Sequence, residues 1–372
     1  MTAPRPKNLL RVAVTGLSSA LAPSPAIGVI HSLRAEPMSV VAVAYDRLSD
    51  GLHSLPLADR VVELPFPSHR PEAFLKGLGA VCRREKISCL IPTIDAEVAV
   101  LSRLEGALGR MGIGVLLPPG ESLKAASKEG LALRGSLPNC RLPASAVLQS
   151  RADLQRCARK LGFPLVLKGP FGGARQAGSP LEAGVHFDWL IRAWGAPVIG
   201  QIALSGEEYA VAALADRRHE PVGLVAMRKI VQDDGGTTWA GITVKEKELL
   251  SLARGLIRHF RWVGPLEMEF IKEASSGCFY LIEINNRFPA WIYLATRAGQ
   301  NLPLAYVRLA RGQEPRPWAE YECGLIYARV ADDRITDLPT LAGLLARGEW
   351  KRHEEETVQG GLRKAHDRPH PP

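Results

Sequence analysis

Short apolar runs alternate with helical patterns along the first 118 residues. Arg11–Leu17 (RVAVTGL) and Ser39–Tyr45 (SVVAVAY) are β-branched runs of the buried-strand type, and Cys89–Thr93 (CLIPT) and Gly114–Leu117 (GVLL) repeat the signal. Between them, Ala26–Arg34, Pro71–Glu85 and Ala96–Met111 carry helical patterns. Strands alternating with helices imply a parallel sheet covered on both faces, so residues 1–118 are expected to form an α/β domain. Pro118-Pro119-Gly120 breaks the pattern sharply. A helical stretch follows at Leu123–Leu133, then the turn-rich Ser136–Pro143 and a helix over Arg151–Leu161, closed by Gly162 and Pro164. Val166–Lys168 reads as a strand ending in a lysine and running into the glycine-rich stretch Gly169–Gly178. From Val198 strands dominate: Val198–Ile202, Tyr209–Leu214, Val222–Met227, and, beyond a helix at Lys247–His259, Leu266–Ile271 and Phe279–Ile284. The expected parts are therefore 1–118, 119–197, 198–312 and an extension, 313–372, whose basic, proline-ended tail is expected to be disordered. No internal repeat is evident.

Composition narrows the class. At 372 residues, 46% of them apolar, the chain is globular and too long for one ordinary core. A surplus of Lys and Arg (47) over Asp and Glu (38) can draw nucleotides or acidic substrates as well as nucleic acid. No basic run with interleaved aromatics is present, so a solvated surface is expected and no nucleic-acid partner. Six scattered cysteines without metal-type pairing read as reduced thiols and a cytoplasmic setting. No segment reaches the roughly 18 uninterrupted apolar residues of a membrane span, so neither export nor a membrane partner is expected.

The densest chemistry lies near the end of this strand-rich region. In Pro265-Leu266-Glu267-Met268-Glu269-Phe270 the acids alternate with apolar residues, placing Glu267 and Glu269 on one face; Glu283 and Asn285 share a face of the next strand. Paired as a hairpin through Ser275–Gly277, the two strands bring three carboxylates and an amide together. Hard oxygen donors without histidine or cysteine suit Mg²⁺, with Mn²⁺ as the alternative. Arg287 follows, able to clamp a phosphate or acyl phosphate. Alternating acids on an antiparallel strand are ordinarily a wet face. Glu283, set within an apolar run, requires a partner.

Three further segments add charge. Lys168 precedes a loop whose Gly172 and Gly173 could let backbone N–H groups approach phosphates, although this is not the GxxxxGK[ST] loop, because the lysine comes first. Gln201–Tyr209 (QIALSGEEY) runs from strand to turn to a carboxylate, Glu208, that could hold a ribose; Arg228 and Lys229 end another strand, where a solvated pair is the ordinary outcome.

Taken in order, the lysine–glycine loop, the strand–turn–Glu segment and Glu…Glu-x-Asn-x-Arg resemble the ATP-grasp family. Gln201–Leu214 (QIALSGEEYAVAAL) looks like the adenosine-binding hinge of D-alanine–D-alanine ligases, with Gln201 where the family carries an adenine-contacting acid and Glu208 at the ribose position. Glu269-Phe270 together with Glu283-Ile284-Asn285-Asn286-Arg287 resembles biotin carboxylase and carbamoyl phosphate synthetase. The resemblance implies an α/β ATP-grasp fold, with an N-terminal parallel-sheet pre-grasp domain and two α+β lobes around ATP, the small one over 119–197 and the large one over 198–312. It implies that Lys128 and Lys168 contact the nucleotide, that Lys229 adds charge near its phosphates, and that Glu269, Glu283 and Asn285 hold the metal while Arg287 acts at the reacting centre. The function it implies is an ATP-dependent carboxylate–amine ligase working through an acyl phosphate on small molecules, an amino acid or peptide among them, in a chain that could form a homodimer. Bicarbonate phosphorylation and a catalytically silent nucleotide-binding regulator are the alternatives. A dinucleotide-dependent dehydrogenase is poorly supported, because Thr15–Ala20 lacks GxGxxG.

Overall fold

The computed structural model describes residues 9–17, 24–46, 57–67, 69–170, 172–233, 236–330 and 338–351. The chain forms two compact units: Met1–Val115 with Ala310–Gln313 and Ala331–Pro372, and Leu116–Leu309 with Glu314–Val330.

In the first unit, β1 (Leu10–Leu17), β2 (Met38–Ala44), β3 (Arg60–Glu63) and β4 (Cys89–Ile91) pair in parallel in the order β3-β2-β1-β4. Val12, Ala13 and Val14 are fully buried, as strands covered on both faces require. The chain steps to one side of β1 for β2 and β3 and to the other side for β4. At that switch Gly16 adopts φ +76°, and a Cβ there would stand 2.6 Å from Thr93 Oγ1. Beside it the fully buried Glu97 accepts hydrogen bonds from Thr15 Oγ1 at 2.7 Å, from the Thr93 N–H at 3.0 Å, and from the Tyr45 hydroxyl.

Some expected elements change. Gly114–Leu117 forms only a bridge from Gly114 to Cys89, and Ala96–Met111 divides into helices Asp95–Ser102 and Glu105–Arg110. The segment after residue 313 is divided. Ile326–Ala328 joins the second unit, whereas the helix Leu338–Arg347 and the strand Glu349–Lys351 join the first, the strand pairing antiparallel with β3. Ion pairs from Glu349 to Arg60 (2.9 Å) and Arg84 (2.7 Å) hold that short strand, which no hydrophobic pattern announces. The expected disordered tail, 352–372, lies outside the described residues.

The second unit carries two antiparallel sheets. β5 (Ser145–Leu148), β6 (Leu165–Lys168), β7 (Ala174–Ala177) and β8 (Val198–Ile202) run in the order β5-β8-β6-β7. Helices Arg151–Leu161 and Pro180–Trp194 bury Leu154, Cys157, Phe187 and Leu190 against this sheet. β7 occupies part of the expected loop Gly169–Gly178, and just before it Gly169 N–H donates to Gly173 O at 3.2 Å. The other sheet holds β9 (Gly206–Ala215), β10 (Pro221–Gln232), β11 (Thr238–Val244), β12 (Gly264–Glu273), β13 (Phe279–Asn285) and β14 (Ile326–Ala328), in the order β13-β12-β9-β10-β11-β14. Leu249, Ala253, Leu256 and Ile257 recur at helical spacing along Lys247–His259 and join its core; each fully buried Leu or Ile contributes about 1.5–3 kcal/mol. Among the described residues no helix is long and apolar enough to cross a membrane.

Candidate active site

The site grows from one pair of strands in the second unit. β12 and β13 meet antiparallel with Glu267 opposite Asn285 and Glu269 opposite Glu283, then slip by one residue, so that Phe270 faces Leu281. The carboxylates therefore lie on two rungs of one face, with the Met268–Ile284 rung between them. Asn285 Nδ2 donates to Glu267 Oε2 at 3.1 Å and to Glu269 Oε1 at 3.0 Å. Arg287 Nη1 reaches Glu267 Oε2 at 3.1 Å, and Trp291 Nε1 donates to Glu267 Oε1 at 2.7 Å.

Cations arrive from three other elements. The expected helix Leu123–Leu133 is broken at Ser127 into Gly120–Ala126 and Lys128–Arg134, because Ser127 is extended and caps the second helix through the Gly130 N–H at 3.0 Å. Lys128, at the first position of that helix, reaches Glu283 Oε1 at 3.1 Å. Lys168, at the end of β6 and only 6% exposed, donates to the Ile282 carbonyl at 3.1 Å. β10 separates its two cations by strand parity. Arg228 lies half in solvent against Glu207, while Lys229, 3% exposed, bridges Glu208 (3.1 Å) and Glu269 (2.7 Å). The solvated pair expected there thus holds for Arg228 and not for Lys229.

The electrostatics follow from this packing. Burial opposes the charge of Lys168, and Lys128 adds to the effect; against Glu283 and Glu269 they still leave its pKa below the ordinary lysine range. Burial likewise works against the Glu283 carboxylate, but Lys128 and Lys168 outweigh it and hold its pKa below the usual value. Lys229 is held above its usual range, Glu269 and Glu208 overcoming its burial. Glu267 is pushed up by burial and by Glu269.

A cleft of about 300 Å³, open to solvent, lies beside the lysines. Leu131, Leu142, Ile199 and Leu281 give it apolar walls, Lys128 and Lys168 charge, and Gln201 with Ser145 a polar edge. Gln201 Nε2 donates to Ser145 Oγ at 3.1 Å, and Ser145 donates its single proton to the Pro143 carbonyl at 2.8 Å. Ser145 can therefore only accept from Gln201, which turns the Gln201 amide oxygen away from it. Apolar walls with a hydrogen-bonding edge and cations alongside suit a heteroaromatic base carrying phosphates.

The chain is similar to known proteins. Residues 197–332 match the family model described as an ATP-grasp in the biosynthetic pathway with Ter operon. A D-alanine–D-alanine ligase from Ectopseudomonas mendocina is 28% identical over 38% of this chain and 49% of its own length. A carbamoyl phosphate synthase large chain from Rubrobacter xylanophilus is 26% identical over 62% of this chain and 24% of its own. A biotin carboxylase structure from Campylobacter jejuni, complexed with β,γ-ATP, superimposes with a TM-score of 0.65 at 14% identity, over 86% of this chain and 74% of that one. Residues 197–332 thus carry the match to the ATP-grasp family, and the chain has the ATP-grasp fold. It spans about half the length of the first curated relative and a quarter of the second.

Within this ATP-grasp fold, Lys128, Lys168 and Glu283 lie in one group, and Lys229, Glu208, Glu269, Asn285 and Arg287 in another, joined by the Glu269–Glu283 rung. Gly172 and Gly173 pack against indole rings. A Cβ on Gly172 would stand 3.3 Å from Trp194, and one on Gly173 3.1 Å from Trp189, so these glycines let the turn seat on indole rings. Phe171, between them and Gly169, lies outside the described residues. Sequence reasoning missed Ser145 and Trp291. Ser145 carries no signal, being 56 residues from Gln201. The signal for Trp291 is a lone indole after Arg287, since a buried indole N–H needs an acceptor.

Proposed function

We propose that the chain is an ATP-dependent carboxylate–amine ligase that forms an amide or peptide bond through an acyl phosphate, releasing ADP and phosphate. The observation that carries this reading is the Glu269–Glu283 rung, flanked by Asn285 and neutralised by Lys128 and Lys229. Among the described residues no three His, Cys, Asp or Glu side chains form a closed metal cage. Two carboxylates and an amide instead fit Mg²⁺, which keeps water and phosphate oxygens in its shell. Glu269, Glu283 and Asn285 would hold it, and it would neutralise charge on the β- and γ-phosphates.

The chain's own groups do the rest. The apolar cleft takes the base, with Gln201 as its hydrogen-bonding edge, and Glu208 takes the ribose. Lys168 and Lys128 bind phosphate oxygens, and Lys229 offsets the carboxylates as the nucleotide enters. A substrate carboxylate attacks the γ-phosphorus, so catalysis is mainly positioning and electrostatics. An amine then attacks the acyl phosphate, and Arg287 stabilises the oxyanion of the tetrahedral intermediate. The likeness to a D-alanine–D-alanine ligase supports an amine acceptor. The likeness to carbamoyl phosphate synthase over more of this chain favours bicarbonate as the second reading.

The test is isotopic. Pools of amino acids and small carboxylic acids are first screened for ADP release, and the active acid is labelled with oxygen-18. The label is expected in the released phosphate, and hydroxylamine is expected to trap a hydroxamate when the amine is withheld. Release of AMP and pyrophosphate would overturn the mechanism; turnover with bicarbonate alone would select the second reading; no nucleotide turnover would leave a silent regulator.

A further inference from the structure

Resting on that ATP reading, we propose that Glu267 is a positioning residue: its carboxylate helps turn the Asn285 amide nitrogen toward Glu267 and Glu269 and anchors the Arg287 guanidinium, so that oxygen is the atom Asn285 has left to offer a metal. An ionised carboxylate can only accept hydrogen bonds. Glu267, 6% exposed, accepts three: from Trp291 Nε1 on Oε1, and from Asn285 Nδ2 and Arg287 Nη1 on Oε2.

Asn285 sits directly opposite Glu267 in the strand register, and its Nδ2 also reaches Glu269 Oε1 at 3.0 Å. Both amide protons are thus committed to carboxylates. The reverse orientation would set the amide oxygen against two anionic oxygens and leave the nitrogen's donors without these acceptors, a cost of at least two hydrogen bonds to charged groups. The polarity of Asn285 is therefore imposed by charge. Trp291, 3% exposed, closes the other side of the Glu267 carboxylate and fixes its rotation. Residues that orient metal ligands in this way change metal affinity without touching the metal.

The test uses Mn²⁺ as probe. Glu267→Gln keeps the side-chain volume but supplies an N–H₂ group, which lets the Asn285 amide turn over. Free Mn²⁺ is followed by electron paramagnetic resonance in the full-length protein with ATP. The affinity of Glu267→Gln for Mn²⁺ is expected to fall by about 10–100-fold in a variant that still melts cooperatively. Adding Asn285→Asp to Glu267→Gln restores a donor facing an acceptor, now with their roles exchanged, and is expected to recover most of the lost affinity, which a space-filling role would not. Mn²⁺ affinity equal to the parent's in Glu267→Gln, or no recovery in the double variant, overturns the inference. If Glu267→Gln does not melt cooperatively, Trp291→Phe replaces it. Removing only the donor on Oε1, that variant should weaken Mn²⁺ binding, and an unchanged affinity counts against the inference. If the parent takes up no Mn²⁺ with ATP, the nucleotide reading itself fails; if the parent binds Mn²⁺ and the variants match it, only the role of Glu267 fails.

Discussion

Replacing Glu283 by Gln should separate two quantities that a misfolded variant would lose together. Glu283 and Lys128 are 3.1 Å apart with 23% and 15% of their side chains exposed. At that separation the Coulomb term is about 5 kcal/mol for an effective dielectric near 20, much of it offset by desolvation. Gln still accepts from Lys128, so the net loss of stability should be about 1–2 kcal/mol. For a body this size that is a fall of roughly 2–8 °C in Tm, and the fold survives. Removing the negative charge leaves Lys128 and Lys168 uncompensated. Metal-free ATP, measured by calorimetry, should therefore bind more tightly, about fivefold for 1 kcal/mol. Metal-dependent ADP release should meanwhile fall about 10²–10³-fold, the scale for losing one preorganised electrostatic group. Full turnover at saturating Mg²⁺, or weaker metal-free ATP binding in a variant that melts normally, would refute the reasoning.

Two more variants test other parts. In Ser145→Ala the Gln201 amide loses the partner that orients it, so preference for ATP over GTP in competition binding should fall about fivefold, one neutral hydrogen bond; an unchanged preference would show that Ser145 does not orient Gln201. Glu97 has its pKa raised to about 7 by burial, against the bonds from Tyr45 and Thr15. A raised folded value means stability fully present below the unfolded carboxylate pKa and lost as pH rises through about 7. Between about pH 4 and pH 8 the parent should lose about 3 kcal/mol relative to Glu97→Gln in denaturant titrations, the difference removing the histidines common to both; parallel curves would mean that Glu97 is already ionised in the fold.

The rung of carboxylates was legible because alternation along a strand is strict. Once Glu267, Glu269, Glu283 and Asn285 are assigned to two consecutive strands joined by a short turn, antiparallel pairing leaves few registers in which they avoid one another. The helices Arg151–Leu161 and Lys247–His259 were read to the residue, each a clear amphipathic stretch. The helix Pro180–Trp194 was not read. Ser179 and Pro180 begin it properly, but Leu181, Val185 and Trp189 are exposed on the face away from Ala183, Phe187 and Leu190, which blurs its periodicity. The partners of the functional side chains were beyond reach for another reason: Lys168 to Ile282 and Gln201 to Ser145 are contacts between elements far apart in sequence. Local pattern carries no information about them.

The ligand-free charge arrangement explains why so dense a site is stable at all. Glu208, Glu267, Glu269 and Glu283 face Lys128, Lys168, Lys229 and Arg287, four negative charges against four positive, most of them largely out of solvent. Each carboxylate proposed for the metal already holds an ammonium group: Glu283 holds Lys128, and Glu269 holds Lys229. A buried carboxylate left alone would shift its pKa and take up a proton; one held by a lysine stays ionised and ready. Binding a magnesium nucleotide then becomes an exchange of partners. On the proposed reading the carboxylates Glu269 and Glu283 would turn from ammonium to metal and Lys128 and Lys229 to phosphate oxygens, so little new charge would have to be desolvated. A site built from carboxylates alone would have to remain protonated until its ligand arrived, and one built from lysines alone would hold the nucleotide without organising its metal.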